Sequence, residues 1–557
     1  MRPICSHSIR ARLCPRIFAG MVFVSIVAVA ATAPGASGAG DAAGDSLSPG
    51  FFNPPPGVTP VNAILPSRFP RARRSYAWRM HGGRRELVTF STPIQHIVVI
   101  YMENRTPENL FGALYAATNP ATGNTFGQDL KLVDPASLSP PLIPEPLNYH
   151  GNPNHSHEQF VRDVQTPWPS PSAPKSGYWY VPTPPPSLPP PTPTVANYLT
   201  LIEKFAYSNQ VLQSNEGPSF DAHQYLIAGQ SGGLTDSTLT PYGMVDNPDP
   251  LDSDEGTCFS TPGAPGAQSV KTVDMFSPYP GPPGPSASPC NDYLTIGDVM
   301  ASAQPTSTPT VPPYELWQYV AYEENSIWAA PMAVRHLYEP YASASPALPQ
   351  QPFAVDPDAE NWVLNVTNST SPAPVPTRPI AELTFLTPCS FESDHPNKDS
   401  VDNGPQWLAY VVDAIESSSY WPNTAVIVTW DDWGGFYDNY TASPWPYHPT
   451  PNAYGSPPIG NPQDPNEWGF RVPFIVISPW VTKQGYISQN MRSQGAILNF
   501  IEDTFDLPTH ALDGDDFNNK NDDLGDIFDF SRIVPLPTAS LPTSFSPGPL
   551  GTCPAPP

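Results

Sequence analysis

Thr424-Ala-Val-Ile-Val-Thr-Trp-Asp-Asp-Trp-Gly-Gly-Phe-Tyr-Asp438 is the stretch whose reading decides the fold. Thr424 to Trp430 is apolar or β-branched almost without interruption, the pattern of a strand buried on both faces of a sheet. The adjacent carboxylates Asp431 and Asp432 stand at its end, and Gly434 and Gly435 then let the backbone turn tightly beside a bound group. In open α/β sheets ligands sit at the carboxyl ends of strands, where paired aspartates attract a cation. The stretch therefore reads as half of a metal site. An acidic strand-to-loop turn is the plainer alternative, because Asp and Gly are common turn residues.

Working outward, His96-Ile-Val-Val-Ile-Tyr-Met102 is a second run of the same kind and ends in Glu103-Asn104-Arg105, again polar groups at a carboxyl end. Arg471-Val-Pro-Phe-Ile-Val-Ile-Ser-Pro479 is a third buried strand. Helical spacing falls between these runs at residues 195–211, 325–338, 406–415 and 494–505. Strands alternating with helices predict a three-layer α/β sandwich, a mostly parallel central sheet covered by helices. Gly217-Pro218 opens one more helix with Ser219 at its start, where free backbone N–H groups and the helix dipole favour anions. That place suits a nucleophile attacking a phosphate, and it equally suits an N-cap. His223, one turn later, could approach the same place, with a packed or surface histidine the plainer reading. The proline run at 182–193 is extended or polyproline-like, and 241–289 is irregular.

The rest of the chain narrows the class. It has 557 residues, with 80 prolines and 37 glycines pointing to long loops, while 25 Phe, 24 Tyr and 13 Trp argue against disorder throughout. Arg2, Arg10, Arg12 and Arg16 precede an apolar run and then small residues, so 1–40 reads as an export signal and the mature protein as secreted or periplasmic. No second run is long enough to span a bilayer. The remaining segments divide into a Pro/Gly-rich lead at 41–92 without clear periodicity, a catalytic domain at 93–537 and a Pro-rich tail at 538–557. The formal charge of −26 becomes −30 when those four arginines leave, which excludes a nucleic-acid partner. Of the four cysteines beyond the signal, Cys258 and Cys290 flank a Pro/Gly-rich segment and are the expected disulfide among three possible connectivities.

Several pieces recur together in one family. Ile97-Val-Val-Ile-Tyr-Met-Glu103-Asn104-Arg105, Gly217-Pro-Ser219, Ser393-Asp-His395-Pro, Trp430-Asp431-Asp432-Trp-Gly434-Gly435-Phe-Tyr-Asp438 and Gly469-Phe-Arg-Val-Pro-Phe-Ile-Val-Ile-Ser-Pro479 together resemble the bacterial phosphoesterase family. That family contains phospholipases C and acid phosphatases and belongs to the alkaline-phosphatase-like superfamily. The resemblance implies metal ligands at Glu103, Asn104, Asp431 and Asp432, a nucleophile at Ser219, and phosphate-facing histidines at His155 and His395. Asn152 stands where the family pattern before His155 has Asp, Trp433 where other members have His, and Asn439 where many have His after Asp438. The last of these removes a titratable group.

The oxygen ligands are hard and favour one divalent cation such as Ca²⁺, Mg²⁺ or Mn²⁺, with Zn²⁺ not excluded by chemistry. A phosphoester substrate, a phospholipid among the options, would be attacked by Ser219 to leave a phosphoserine. Phosphomonoesters are the alternative substrate. Two rivals remain from the sequence: a serine esterase built on Gly229-Gln-Ser231-Gly-Gly233, which satisfies G-x-S-x-G, and a non-catalytic surface protein that kept the fold.

Overall fold

The decisive stretch is a strand with all seven residues Thr424–Trp430 buried, and His96–Met102 is its parallel neighbour. The computed structural model describes residues 74–81, 84–147, 151–165, 177, 179–182, 195–235, 241–244, 246–249, 258, 269–274, 286–303, 316–321, 327–343, 353–355, 380–396, 403–439, 468–508, 511–512, 522–532, 536–539 and 541. The chain divides at residue 53, and all described residues belong to the unit 54–557. The expected export signal and most of the proline run and the Pro-rich tail lie outside them.

The main sheet contains β1 (His96–Met102), β2 (Ala206–Ser208), β3 (Trp317–Ala321), β4 (Phe353–Val355), β5 (Leu383–Thr387), β6 (Thr424–Trp430), β7 (Phe474–Ile477) and β8 (Tyr486–Ser488). They lie side by side as β4-β3-β5-β1-β6-β7-β2-β8. The pairings from β4 through β6 are parallel, as is β2 with β8, and only β7 runs against its two neighbours. The mostly parallel sheet expected from the sequence is thus present, with its third buried run reversed. Interior residues of β6 such as Val426, Ile427 and Val428 are wholly buried, each stabilising the fold by about 1.5–3 kcal/mol.

Side-chain alternation fixes the layers. Tyr101 pairs with Thr429 and Met102 with Trp430, so the two members of each pair share a face. With His157–Gln165 as α1 and Ala196–Lys204 as α2, Tyr101 donates its hydroxyl to the Ala222 carbonyl of helix α3 (Ser219–Ala228), and Thr429 is bonded by Gln494, just ahead of the helix Ala496–Phe505. On the opposite face the Tyr198 ring of the helix Ala196–Lys204 meets Trp430 edge-on, and that helix packs on Asn403–Ser417. Helices therefore cover both faces, the three-layer α/β arrangement.

Local readings differ in places. The helix expected over 195–211 stops at Lys204, because Ala206–Ser208 is taken by the sheet as β2. Residues 325–338 give a 3-10 turn, Ala330–Ala333, and then a helix beginning only at Arg335. Within the lead, Arg74–His81 and Arg84–Ser91 pair as an antiparallel hairpin. Part of the segment expected to be irregular forms a small antiparallel sheet from Gly233–Thr235, Pro241–Met244 and Thr272–Asp274. Cys258 and Cys290 are disulfide-bonded as expected. No described helix is long and apolar enough to cross a membrane.

Candidate active site

Parallel pairing brings the carboxyl ends of β1 and β6 together. Trp430 pairs with Met102, and the Asp431 N–H donates to the Met102 carbonyl at 2.9 Å. Glu103 and Asn104 from one strand thereby meet Asp431 and Asp432 from the other, and all four are buried. Asn104 takes a left-handed backbone, φ 59°, which asparagine tolerates better than most residues. The twist turns its N–H onto Asp431 Oδ1 at 2.6 Å and its side-chain amide toward Asp432, 3.2 Å from Oδ1 and 3.3 Å from Oδ2.

Helix α3 reaches this point from the Tyr101 face. Pro218 is its cap residue and Ser219 its first helical residue, with no side-chain cap bond. Ser219 is therefore not an N-cap. Its hydroxyl donates to Asp432 Oδ2 at 3.3 Å. One turn on, His223 Nε2 lies 2.8 Å from Glu103 Oε1, and Nδ1 lies 3.1 Å from the Tyr319 hydroxyl. Tyr319 donates to the Trp328 carbonyl at 2.6 Å, so its oxygen accepts from His223 Nδ1–H. His223 is thus packed, and packed against the site itself rather than lying on the surface. Its i+4 spacing from Ser219 was the available signal, since such residues share a helix face.

His155 donates Nδ1–H to the Pro153 carbonyl at 2.8 Å, which leaves Nε2 to accept from the Asn104 amide at 3.1 Å. The His395 ring centroid lies 6.4 Å from that of His155, and its Nδ1–H donates to the Pro396 carbonyl at 2.5 Å. Two sets of bonds tie the His395 loop to the Glu103 loop. The Glu103 N–H donates to the Ser393 carbonyl at 2.7 Å, and Arg105 Nε and Nη2 donate to the Asp394 carbonyl at 2.9 and 2.6 Å. Gly434 and Gly435 both have positive φ, and a Cβ there would come within 2.4 Å of the Asn104 carbonyl oxygen and 2.5 Å of that of Asn154, respectively. The glycines thus make room for the chain's own loops, which then present Asn104 and His155, rather than for a bound group directly.

Three buried carboxylates this close repel one another. Burial, and then Asp431, holds Glu103 well above the usual carboxylate range, and the same two causes raise Asp432. Asp431 goes the other way: burial acts to raise it, but bonding to Glu103 and the nearby His223 ring outweigh that and lower it. Burial also pushes His223 down to about 4 and lowers His155. The cluster by itself thus carries fewer negative charges than carboxylates. Glu103 Oε2, Asn104 Oδ1 and Asp431 Oδ2 are buried with no hydrogen-bond partner. Glu103, His223 and Asp431 each offer a ligand atom within 4.8 Å of the others. Bare oxygens converging from two strand ends are the donor set of a hard cation, and these residues fit one. Asp432 differs, because it already accepts from the Gly434 N–H at 2.5 Å as well as from Asn104 and Ser219.

The structure brings together every site residue expected from the sequence, and separates the rival serine. Ser231 follows the end of α3 at Gly229 and precedes the strand Gly233–Thr235. A nucleophile elbow needs the reverse order, strand then helix. Asn439 accepts from Arg471 Nη2 at 2.6 Å and donates to the Lys131 carbonyl at 2.6 Å, so its place is a brace on a buried arginine.

Residues 365–508 match the model of the Phosphoesterase family, a stretch that contains His395, Asp431 and Asp432. Non-specific phospholipase C6 of Arabidopsis thaliana is 33% identical over 117 residues, 20% of this chain and 22% of that protein. Phospholipase C A of Mycobacterium tuberculosis is 29% identical over 133 residues, 23% of each chain. Non-hemolytic phospholipase C of Pseudomonas aeruginosa is 26% identical over 143 residues, 23% of this chain and 20% of that one. The chain thus spans about a fifth of the length of these curated relatives. Among solved structures, murine ectonucleotide pyrophosphatase/phosphodiesterase 5 aligns over 77% of this chain with TM-score 0.32 and 11% identity. A protein in the alkaline phosphatase superfamily from Vibrio parahaemolyticus aligns over 67% with TM-score 0.30 and 11% identity. The resemblance read from the sequence to the phosphoesterase family holds.

Proposed function

We propose that the chain is an exported, cation-dependent phosphoester hydrolase of the phospholipase C type, with Ser219 as nucleophile. One observation carries the reading: a buried serine hydroxyl at a helix N-terminus is bonded to a carboxylate that flanks three unpartnered ligand oxygens. Pro218 holds the cap position, so the Ser219 hydroxyl is not spent on capping and bonds Asp432 instead. The relatives' names point to the same bond class, since all three are phospholipases C.

Glu103, Asn104, Asp431 and Asp432 would hold the cation, which supplies positive charge to acidify the serine hydroxyl and to offset charge on phosphoryl oxygens. The chain's own groups do the rest. Ser219 Oγ passes its proton to Asp432 Oδ2 and attacks phosphorus beside the N-terminus of α3, whose dipole favours the phosphoryl charge. The Oγ–P bond forms as the bond to the leaving oxygen breaks. The proton that Asp432 takes from Ser219 reaches the leaving alkoxide through His155 or His395. Their rings adjoin, and their Nδ1–H bonds to backbone carbonyls make Nε2 the nitrogen that accepts the proton and passes it on, offsetting phosphoryl charge while it is carried. Water then attacks the phosphoserine, and Ser219 recovers its proton. The neutral state that burial imposes on His155 suits it first as an acceptor.

The test compares wild type with Ser219→Ala on p-nitrophenyl phosphate and p-nitrophenyl phosphorylcholine, with and without chelator. The expected result is chelator-sensitive release from the choline ester that falls by roughly 10³-fold or more in the variant. Release mainly from the monoester would make the chain a phosphatase on the same site. Undiminished release by Ser219→Ala would remove the serine from the mechanism.

A further inference from the structure

We infer that His223 is a positioning residue that sets the Glu103 carboxylate for its cation, backed by Tyr319 from the sheet. The inference rests on the cation-dependent reading above and extends it to a residue outside the expected ligand set. His223 is wholly buried, and both of its ring nitrogens are engaged. Nε2 fixes one oxygen of Glu103 at 2.8 Å, while the other oxygen, Oε2, is the one left without a partner. Holding one carboxylate oxygen in this way fixes the plane of the group and leaves the other oxygen, Oε2, to face a cation. Partners of this kind, bonded to a ligand rather than to the ion, determine ligand orientation and ion affinity.

The His223 ring cannot tilt freely. Tyr101 meets it edge-on with centroids 4.8 Å apart, and Nδ1–H is held by Tyr319 on β3. Tyr319 in turn bonds the Trp328 carbonyl at 2.6 Å and Thr387 Oγ1 at 3.2 Å, the last residue of β5. The relay therefore runs from two sheet strands through one helix residue to a ligand on a third strand. Ser219 sits one turn away on the same helix, so a shift of α3 would move the nucleophile and the orienting group of Glu103 together. Neither the Asp-Asp strand end nor the Glu-Asn strand end supplies this link.

The test measures stoichiometry and affinity for Mn²⁺ by chelator competition on the folded full chain. It compares wild type, His223→Gln, His223→Leu, Tyr319→Phe and Asp431→Asn, with thermal unfolding to confirm folding. His223→Leu should weaken binding by roughly 10–100-fold, and Tyr319→Phe by less. His223→Gln, whose amide can pair with the Glu103 carboxyl whether protonated or ionised, should fall between wild type and His223→Leu and regain turnover when Mn²⁺ is raised to saturation. Wild-type affinity in folded His223→Leu or His223→Gln would overturn the inference. Complete loss of binding in His223→Gln, equal to that in Asp431→Asn, would make His223 a ligand and also overturn it. Should His223→Leu not fold, unchanged affinity in both His223→Gln and Tyr319→Phe would still refute the relay. No Mn²⁺ uptake by wild type would instead defeat the cation-dependent reading on which the inference stands, and the wild-type arm alone reports that outcome.

Discussion

Among the described residues, two buried acidic clusters near the carboxyl ends of the central strands are built on opposite principles. Glu108 and Asp438 surround a cation supplied by the chain. Arg471 Nε and Nη2 lie 2.9 and 2.6 Å from Asp438 Oδ1, and Nη2 lies 3.4 Å from Glu108 Oε1. The Arg471 N–H donates to Asp438 Oδ2 and the Val133 N–H donates to Glu108, so neither carboxylate keeps an unpartnered oxygen. Glu103, Asp431 and Asp432 have no lysine or arginine bonded to them among the described residues and keep two bare carboxylate oxygens, joined by one from Asn104. A buried carboxylate without compensation is costly. The first cluster is closed by its own arginine and reads as structure, whereas the second is left open for an outside cation and reads as function.

The largest expected effect tests that distinction at the open cluster. Asp431→Asn should reduce phosphoester hydrolysis by roughly 10³-fold or more. Because it removes one of three repelling acids, the same change should leave the melting temperature in chelator unchanged or higher. Steady-state rates and thermal unfolding in chelator check both halves, and a large loss of chelator-state stability would place Asp431 with the structural cluster. At the closed cluster the sign reverses. Arg471→Met strands two buried acids and should cost about 3–5 kcal/mol of stability in denaturant titrations. A loss below about 1 kcal/mol would show that the arginine is not what holds those acids.

The next effect is smaller and belongs to the open cluster alone. A divalent cation at a hundredfold excess over its dissociation constant should stabilise the folded chain by about 2.7 kcal/mol, and should not stabilise Asp431→Asn. The gain should grow as pH rises, because Glu103 and Asp432 retain protons that a cation must displace. An equal shift in wild type and variant would place the binding elsewhere.

What the sequence disclosed follows from the same contrast. Glu103, Asn104, Asp431 and Asp432 were legible because each pair directly follows an unbroken apolar run, and parallel pairing needs no further information to place two strand ends together. Ser219 was legible as a helix start, but whether it caps or attacks depended on Asp432, 213 residues away. His223 was legible as a residue one turn from Ser219 that could approach the site, but its partner, Glu103, is 120 residues distant, so nothing local decided between that and plain packing. Arg471 opens an apolar run with no local sign of a partner, and only the folded chain shows it enclosed by Asp438, Asn439 and Glu108. The reversal of β7 had no signal either, since a fully buried strand shows the same composition in either direction. The short β2 was hidden inside a helical pattern for a related reason: apolar spacing over a few residues does not separate helix from strand.

A third buried acid shows what happens when neither solution is at hand, and it gives the smallest and last prediction. Asp163 on the helix His157–Gln165 accepts from Gln159 Nε2 at 2.7 Å through Oδ1, while Oδ2 has no partner. Its neighbour Arg162 is engaged with Glu158. With no cation bonded to it, Asp163 can be neutralised only by a proton, and burial raises its pKa from 3.8 to about 7. The folded state then binds the proton more tightly than the unfolded chain does. Below the unfolded value of 3.8 both states are protonated and the group contributes nothing to the pH dependence. As pH rises from there toward about 7, stability falls, because the unfolded chain ionises first, and above about 7 the full penalty is present. Asp163→Asn should therefore match wild type in denaturant titrations near pH 4 and be more stable at pH 8, by on the order of 2 kcal/mol. The sign is opposite to that expected for the cation-loaded cluster, whose stabilisation grows with pH. A variant that lost stability at pH 8 would mean that Asp163 is held charged by a cation after all, and the division of buried acids into arginine-paired, cation-seeking and protonated would fail at its third member.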